Sequence, residues 1–214
     1  MGVFTSEIDI CNDAIARVGG KFINSIESPT THTETLVASM WAKNRRIVLR
    51  SAVWNFAKCY KSIAKSSETL SGFSGIYPLP NDFIRFLGVD GMDLTGADTD
   101  RYMLSDNKIY LKDAAPNSIT LIYIKDVTDV TRYDALFVEA LSLRMSYNLQ
   151  YALSGKNTTS DRLLQEYMEA LTVAKMIDGQ EQKPIRKQRS KWLAARRRGC
   201  SRTNASTERY FEDA

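Results

Sequence analysis

The chain contains one imidazole, that of His32, among 214 residues. Histidine is the side chain that most often moves protons or holds metals near neutral pH. A lone one just inside a Thr-rich helix start reads as a solvated or capping residue. The three cysteines, Cys11, Cys59 and Cys200, are odd in number, far apart and without paired spacing. That pattern excludes a disulfide framework or a zinc knuckle and suits free thiols in a reducing compartment. Glycine-rich phosphate loops are missing, since "GKFINS" and "SGFSG" match neither the P-loop nor the dinucleotide fingerprint. The acids Asp98/Asp100 and Asp126/Asp129 lie in loop-like segments and read as solvent-facing pairs, not as metal ligands. No stretch approaches the ~18–20 uncharged apolar residues of a membrane span. The start, "MGVFTSEIDI", places an acid where a secretion signal needs an apolar core. These absences lead to an expectation of no enzyme: no catalytic, cofactor-binding or metal residues, no cofactor and no membrane.

What is present is an ordinary globular composition, 43% hydrophobic and 25% charged. The net charge of +4 conceals an asymmetry. Residues 183–202 carry +9, the last twelve residues −2, and residues 1–182 the remaining −3. The run Lys183 to Cys200, "KPIRKQRSKWLAARRRGC", has eight Lys or Arg and no acid. It includes Arg186, Lys187, Arg189, Lys191, Arg196, Arg197 and Arg198, with Trp192 and Leu193 in the middle. Ser190 is a cap, Gly199 a stop, and three arginines fall in the last turn, where the helix dipole favours cations. So short a helix is not stable alone and would form on contact with something.

The rest of the chain alternates between two periods. Ile8, Cys11, Ile15 and Val18 make an apolar stripe over about residues 7–18, capped by Ser6 or Thr5 and ended by Gly19-Gly20. The longest helical signal runs from about Thr31 to Cys59, where Leu36, Met40, Ile47 and Trp54 form one stripe and Val37, Trp41, Val48 and Ala52 another. Both Trp41 and Trp54 read as core. From Ser66 the character changes. "YPLPND" bars a helix and a central strand, "FIRFLGVDGMDL" reads as a strand closed by a glycine turn, "RYMLSDNKIYLK" as a hairpin about Ser105-Asp106-Asn107, and "NSITLIYIKD" as a strand with Ile119, Leu121 and Tyr123 on one face. Helices return over 133–153 and 160–178; Leu163, Leu164, Tyr167, Leu171, Ala174 and Ile177 share one face of the second, Ser160 or Thr159 caps it, and Gly179 ends it.

The expected fold is therefore α+β, mainly α: an antiparallel helical bundle with an inserted small β domain and an extended C-terminal tail. The expected boundaries are 1–70 and 129–179 for the helical domain, 71–128 for the β domain, and 180–214 for the basic tail.

Five segments, in order, carry a resemblance: "NDAIARVGG", "VLRSAVWNFAK", "YPLPNDFIRFLGV", "LIYIKDVTDVTRYDALFVEAL" and "RLLQEYMEALTVAKMIDG". Together, over about Ile8 to Gly179, they resemble the head-to-tail adaptor, or tail tubular protein A, family of short-tailed bacteriophages (podoviruses). The strongest elements are "WNFA", with Trp54, Asn55 and Phe56, and "YPLPNDFIR", with Pro78, Pro80, Asp82, Phe83 and Arg85. No single element is a chemical signature; the specificity lies in their order and spacing. The resemblance implies a structural virion protein, assembled in the host cytoplasm and located in the viral tail at the head-tail interface. It implies a homo-oligomeric, usually dodecameric, ring beneath the portal protein. That ring would continue the channel for genomic DNA during ejection and join the portal to the tail nozzle, or tail tubular protein B. It also implies a C-terminal segment reaching along the portal, which would make the run 183–200 a portal-docking tail with Trp192 and Leu193 in an apolar notch and the arginines around it. Charge by itself favours the alternative, a DNA-binding accessory or regulatory protein whose tail grips phosphates.

Overall fold

The computed structural model describes residues 6–91, 101–112, 115–154 and 160–181. The chain divides into two units, Met1–Glu181 and Gln182–Ala214. The second lies wholly outside the described residues, and with it every residue of the basic run.

Among the described residues there are four α-helices, α1 (Glu7–Val18), α2 (His32–Ser51), α3 (Ala135–Ser154) and α4 (Ser160–Glu181). Between α2 and α3 lie six strands: β1 (Lys58–Ala64), β2 (Gly75–Pro78), β3 (Phe83–Val89), β4 (Tyr102–Ser105), β5 (Lys108–Leu111) and β6 (Ser118–Lys125). They form two antiparallel three-stranded sheets, in the orders β1-β6-β3 and β2-β5-β4.

This corrects the expected helical bundle with a projecting β domain: the fold is a mixed α+β one. The reason lies in β6. Its alternation turns Ile119, Leu121 and Tyr123 toward a core shared with Tyr77, Ile109 and Leu111 of the second sheet. Its next residue, Ile124, sits instead in the core formed with the helices, beside Val48, Trp54 and Phe137. The first sheet is thus a layer common to two cores, and helices pack on sheet as well as on one another.

The long helix expected to reach Cys59 stops at Ser51. Ala52 is already extended, at φ −136° and ψ 170°. No glycine or proline marks this break. Side chains end the helix instead: the Val48 carbonyl accepts the Ser51 hydroxyl (2.7 Å) and the Trp54 indole N–H (2.9 Å), partners for a last turn that otherwise lacks them. A short 3₁₀ turn, Asn55–Ala57, then delivers the chain into β1, whose first two residues, Lys58 and Cys59, fall within the expected helix. Pro78 closes β2, an edge strand, where a missing N–H is tolerated.

Other boundaries follow local chemistry closely. Ser6 caps α1 in a capping box with Asp9. Gly19 is left-handed at φ 73°, and a Cβ on Gly20 would lie 2.9 Å from Ile15 Cγ2, so each glycine of the pair has its own reason. The buried face of α1 comprises Ile10, Cys11, Ala14 and Ile15, rotated from the expected stripe. Asp106 (φ 49°) and Asn107 (φ 55°) are both left-handed, the backbone of a two-residue hairpin turn between β4 and β5. Gly179 does not end α4, which continues to Glu181.

Candidate functional site

The residues that carry the resemblance gather at joints between layers. Trp54 is buried, with its ring 5.1 Å from Phe137 at 85°. Phe56 packs against both Phe137 (5.1 Å) and Tyr133 (5.8 Å). Asn55 between them ties the α2–β1 junction to the end of α4: its backbone N–H points at the Asp178 carboxylate (3.2 Å), and its side-chain amide donates to the Asp178 carbonyl (3.3 Å). Burial raises the Asp178 carboxyl above its usual range.

The second segment passes from one sheet to the other. Pro78 pairs with Lys108 at the end of β2, and the Pro80 carbonyl accepts from Phe83 N–H at 3.1 Å. Asp82 accepts the Tyr123 hydroxyl at 3.0 Å, while its carbonyl takes Asp126 N–H at 2.7 Å. Phe83 stacks on Tyr123, and burial, with Asp82 next to it, pushes that phenol up. Arg85 donates to the Arg50 carbonyl (3.3 Å), and Arg50 returns a bond to the Ile84 carbonyl (2.8 Å), fastening β3 to the end of α2.

Two arrangements escaped the sequence reading. Asp126, expected to face solvent, has a side chain only 9% exposed and is held by two arginines of α2. Arg45 meets it in two-pronged fashion at 3.1 and 3.3 Å, and Arg46 approaches at 2.7 Å. The adjacency Arg45-Arg46 was the only signal. Glu34 is buried at the third position of α2. It accepts from the N–H groups of Asn24, Thr30 and Thr31, and those bonds hold its carboxyl down at about 2. Its companion His32 is exposed, as the first residue of the helix. Asp129 is exposed, as expected, and its carboxylate also caps the turn at Thr131 (3.0 Å); Asp98 and Asp100 lie outside the described residues.

The surface feature with most to offer an interaction is on α4. Its inner face buries Leu163, Tyr167, Leu171 and Ala174. Ile177, expected on that face, is 42% exposed, and Met168 (55%), Val173 (48%) and Met176 (61%) accompany it outside. Scattered exposed apolar residues are ordinary, but Val173, Met176 and Ile177, spaced three and four apart, share one side of the helix and form an apolar surface there. Beside them is a groove of about 440 Å³. Leu136 and Leu143 of α3 and Ala170 and Val173 of α4 supply its apolar surface, and Glu139, Glu166, Glu169 and Arg17 its charged one. Arg17 is paired with Asp13 at 3.1 Å, and Glu166 with Arg162 at 3.2 Å. Three acids against one paired base give the groove a negative character.

The basic residues Arg186, Lys187, Arg189, Lys191, Arg196, Arg197 and Arg198, with Trp192 and Leu193, lie outside the described residues. Among the described residues no group of three or more His, Cys, Asp or Glu side chains is placed to hold a metal, and no helix is long and apolar enough to cross a membrane. A scan against protein-family models finds no match to this chain, and a comparison with curated proteins finds none either.

Proposed function

We propose that this protein is a head-to-tail adaptor of a short-tailed phage, a structural component whose copies form a ring between the portal and the tail nozzle, around the DNA channel. The observation that carries the reading is the ordered set of five segments from Ile8 to Gly179. Support comes from what two of them do in the fold. "WNFA" joins α2 to the first sheet and reaches α4 through Asn55, and "YPLPNDFIR" joins the two sheets and returns to α2 through Arg85. Segments that set the angles between layers are those a shared architecture requires, which is why their order means more than any one residue type. The exposed apolar face of α4 supports an assembling protein over a solitary one. The test is direct. Co-expression with the portal protein from the same genome, followed by electron microscopy, should give a ring of this protein stacked on the portal ring. Portal rings that remain bare at micromolar concentrations of both proteins would refute it.

The second reading, a DNA-binding accessory protein, draws on the eight cations of the basic run. It requires duplex affinity that falls steeply with salt, about one unit of logarithmic slope per phosphate contacted. Such a slope without any portal complex would replace the adaptor with this reading.

A further inference from the structure

The groove between α3 and α4 combines an apolar floor with acids at its edge. That combination specifies an occupant: a short segment with one or two large apolar side chains flanked by Lys or Arg. It argues against α4 pairing with α4 of another copy. Asp161, Glu166, Glu169, Asp178 and Glu181 outnumber Arg162 and Lys175 on that helix, so an isologous contact would set like charges together, an unfavourable juxtaposition. A segment of the required chemistry exists in the chain itself. From Ser190 to Gly199, "SKWLAARRRG" sets Trp192 and Leu193 among Lys191, Arg196, Arg197 and Arg198 with no acid.

We propose that the groove of one copy is the seat for residues 190–199 of a second copy. Trp192 and Leu193 meet Leu136, Leu143 and Val173, and the arginines meet Glu139, Glu166 and Glu169. A large aromatic anchor within a rim of ion pairs is the usual distribution of energy in a protein interface. The contact is heterologous, because two different patches meet, and repetition of such a contact closes rings or extends filaments. The proposal rests on the adaptor reading only in needing a second copy, and it moves the seat of the basic run from the portal to a neighbouring subunit.

The experiment uses two full-length variants, both carrying Cys200→Ser. One adds Val173→Cys, at a position 48% exposed and so free of any burden on folding; the other adds Leu193→Cys. Mixed under mild oxidation without portal or DNA, they should yield a linked pair, identified by mass spectrometry of the peptide joining 173 to 193. Neither variant alone should link through its new cysteine. Adding Glu166→Lys and Glu169→Lys to the first partner should lower the yield roughly tenfold, as repulsion replaces attraction. Arg196→Glu and Arg197→Glu in the second partner should restore it. Trp192→Ala should lower the yield by a similar factor. Links between two copies through residue 173 would show α4 meeting α4 and overturn the proposal. So would yields unchanged by charge reversal or by Trp192→Ala, and so would no link at all, with the run then found on portal rings or on duplex DNA. The readout involves no portal, so its failure leaves the adaptor reading standing. An intact link with bare portal rings would refute the adaptor reading alone.

Discussion

The two cores of Met1–Glu181 are built on different scales. Among the described residues, the helix-side core gathers twenty-five buried side chains from all four helices, from Ile23 and the α2–β1 junction, and from β6 and the segment after it. The core between the sheets gathers eight. The second sheet also has three strands of only four residues, and β4 exposes Met103 and Leu104. Apolar burial is the main favourable term in folding, so the helix side supplies most of the stability, and the outer sheet depends on the layer it shares. The difference teaches that β6 is the pivot: it belongs to both cores, and its amides report whether the two melt as one.

The largest expected effect comes from the aromatic cluster. Trp54→Ala should cost about 3–5 kcal/mol, because it removes a fully buried ring and leaves a cavity against Phe137. Chemical denaturation measures the loss. Hydrogen exchange should show β6 and β2 accelerating together with α2; a β6 that keeps its protection would break the idea of a shared layer.

Next is the clasp at Asp126. Asp126→Ala should cost about 3 kcal/mol, since it leaves the buried Arg45 without its partner. The same change paired with Arg45→Met should recover much of that loss, and a double-mutant cycle by urea denaturation checks it. Additive losses in the cycle would mean that the clasp carries no coupling.

A smaller effect belongs to the outer sheet. At Asn107, φ is 55°, a region that costs a branched residue about 1–2 kcal/mol. Asn107→Val should therefore destabilise by that amount, and Asn107→Gly should be neutral or gain less than about 1 kcal/mol. Because the second sheet leans on the first, exchange in β4 and β5 should rise before any change in α3. A global rise of the same size would put the two cores on an equal footing.

The last expected change appears only in acid. The Glu34 carboxyl is held at about 2 against an ordinary 4.5. Its depressed value means that its stabilising share is complete above about 4.5 and is lost as pH falls toward 2. Asp178 is raised by burial and acts in the opposite sense. Glu34→Gln should accordingly flatten the acid side of the melting profile between those limits, and an unchanged slope would show that the three backbone bonds do not discriminate between protonation states.

Local chemistry was readable where a residue acts on its immediate neighbours. The Ser6 cap, the Gly19 stop, the Asp106-Asn107 turn and the alternating face of β6 all follow from short-range sterics, hydrogen bonding and period. The same rules failed wherever a distant partner decided the outcome. Helix α2 ends without a breaker because Trp54 turns back on Val48, and β1 becomes a strand because β6 offers it a full ladder of backbone partners. The apolar stripes end at Ala52 and Trp54, and nothing in their period marks that the chain leaves the helix there. Gly179 stays helical while the end of α4 is tied through Asp178 to Asn55. The groove was the least legible feature. Leu136, Leu143 and Val173 come from two helices, and their sequence separation conceals that Glu139, Glu166 and Glu169 border the same hollow. By itself the sequence determined the basic run, its Trp192 and the periods of the elements, because these are properties of neighbouring residues. Only the tertiary structure decided which faces are covered, because burial depends on what another part of the chain brings to each surface.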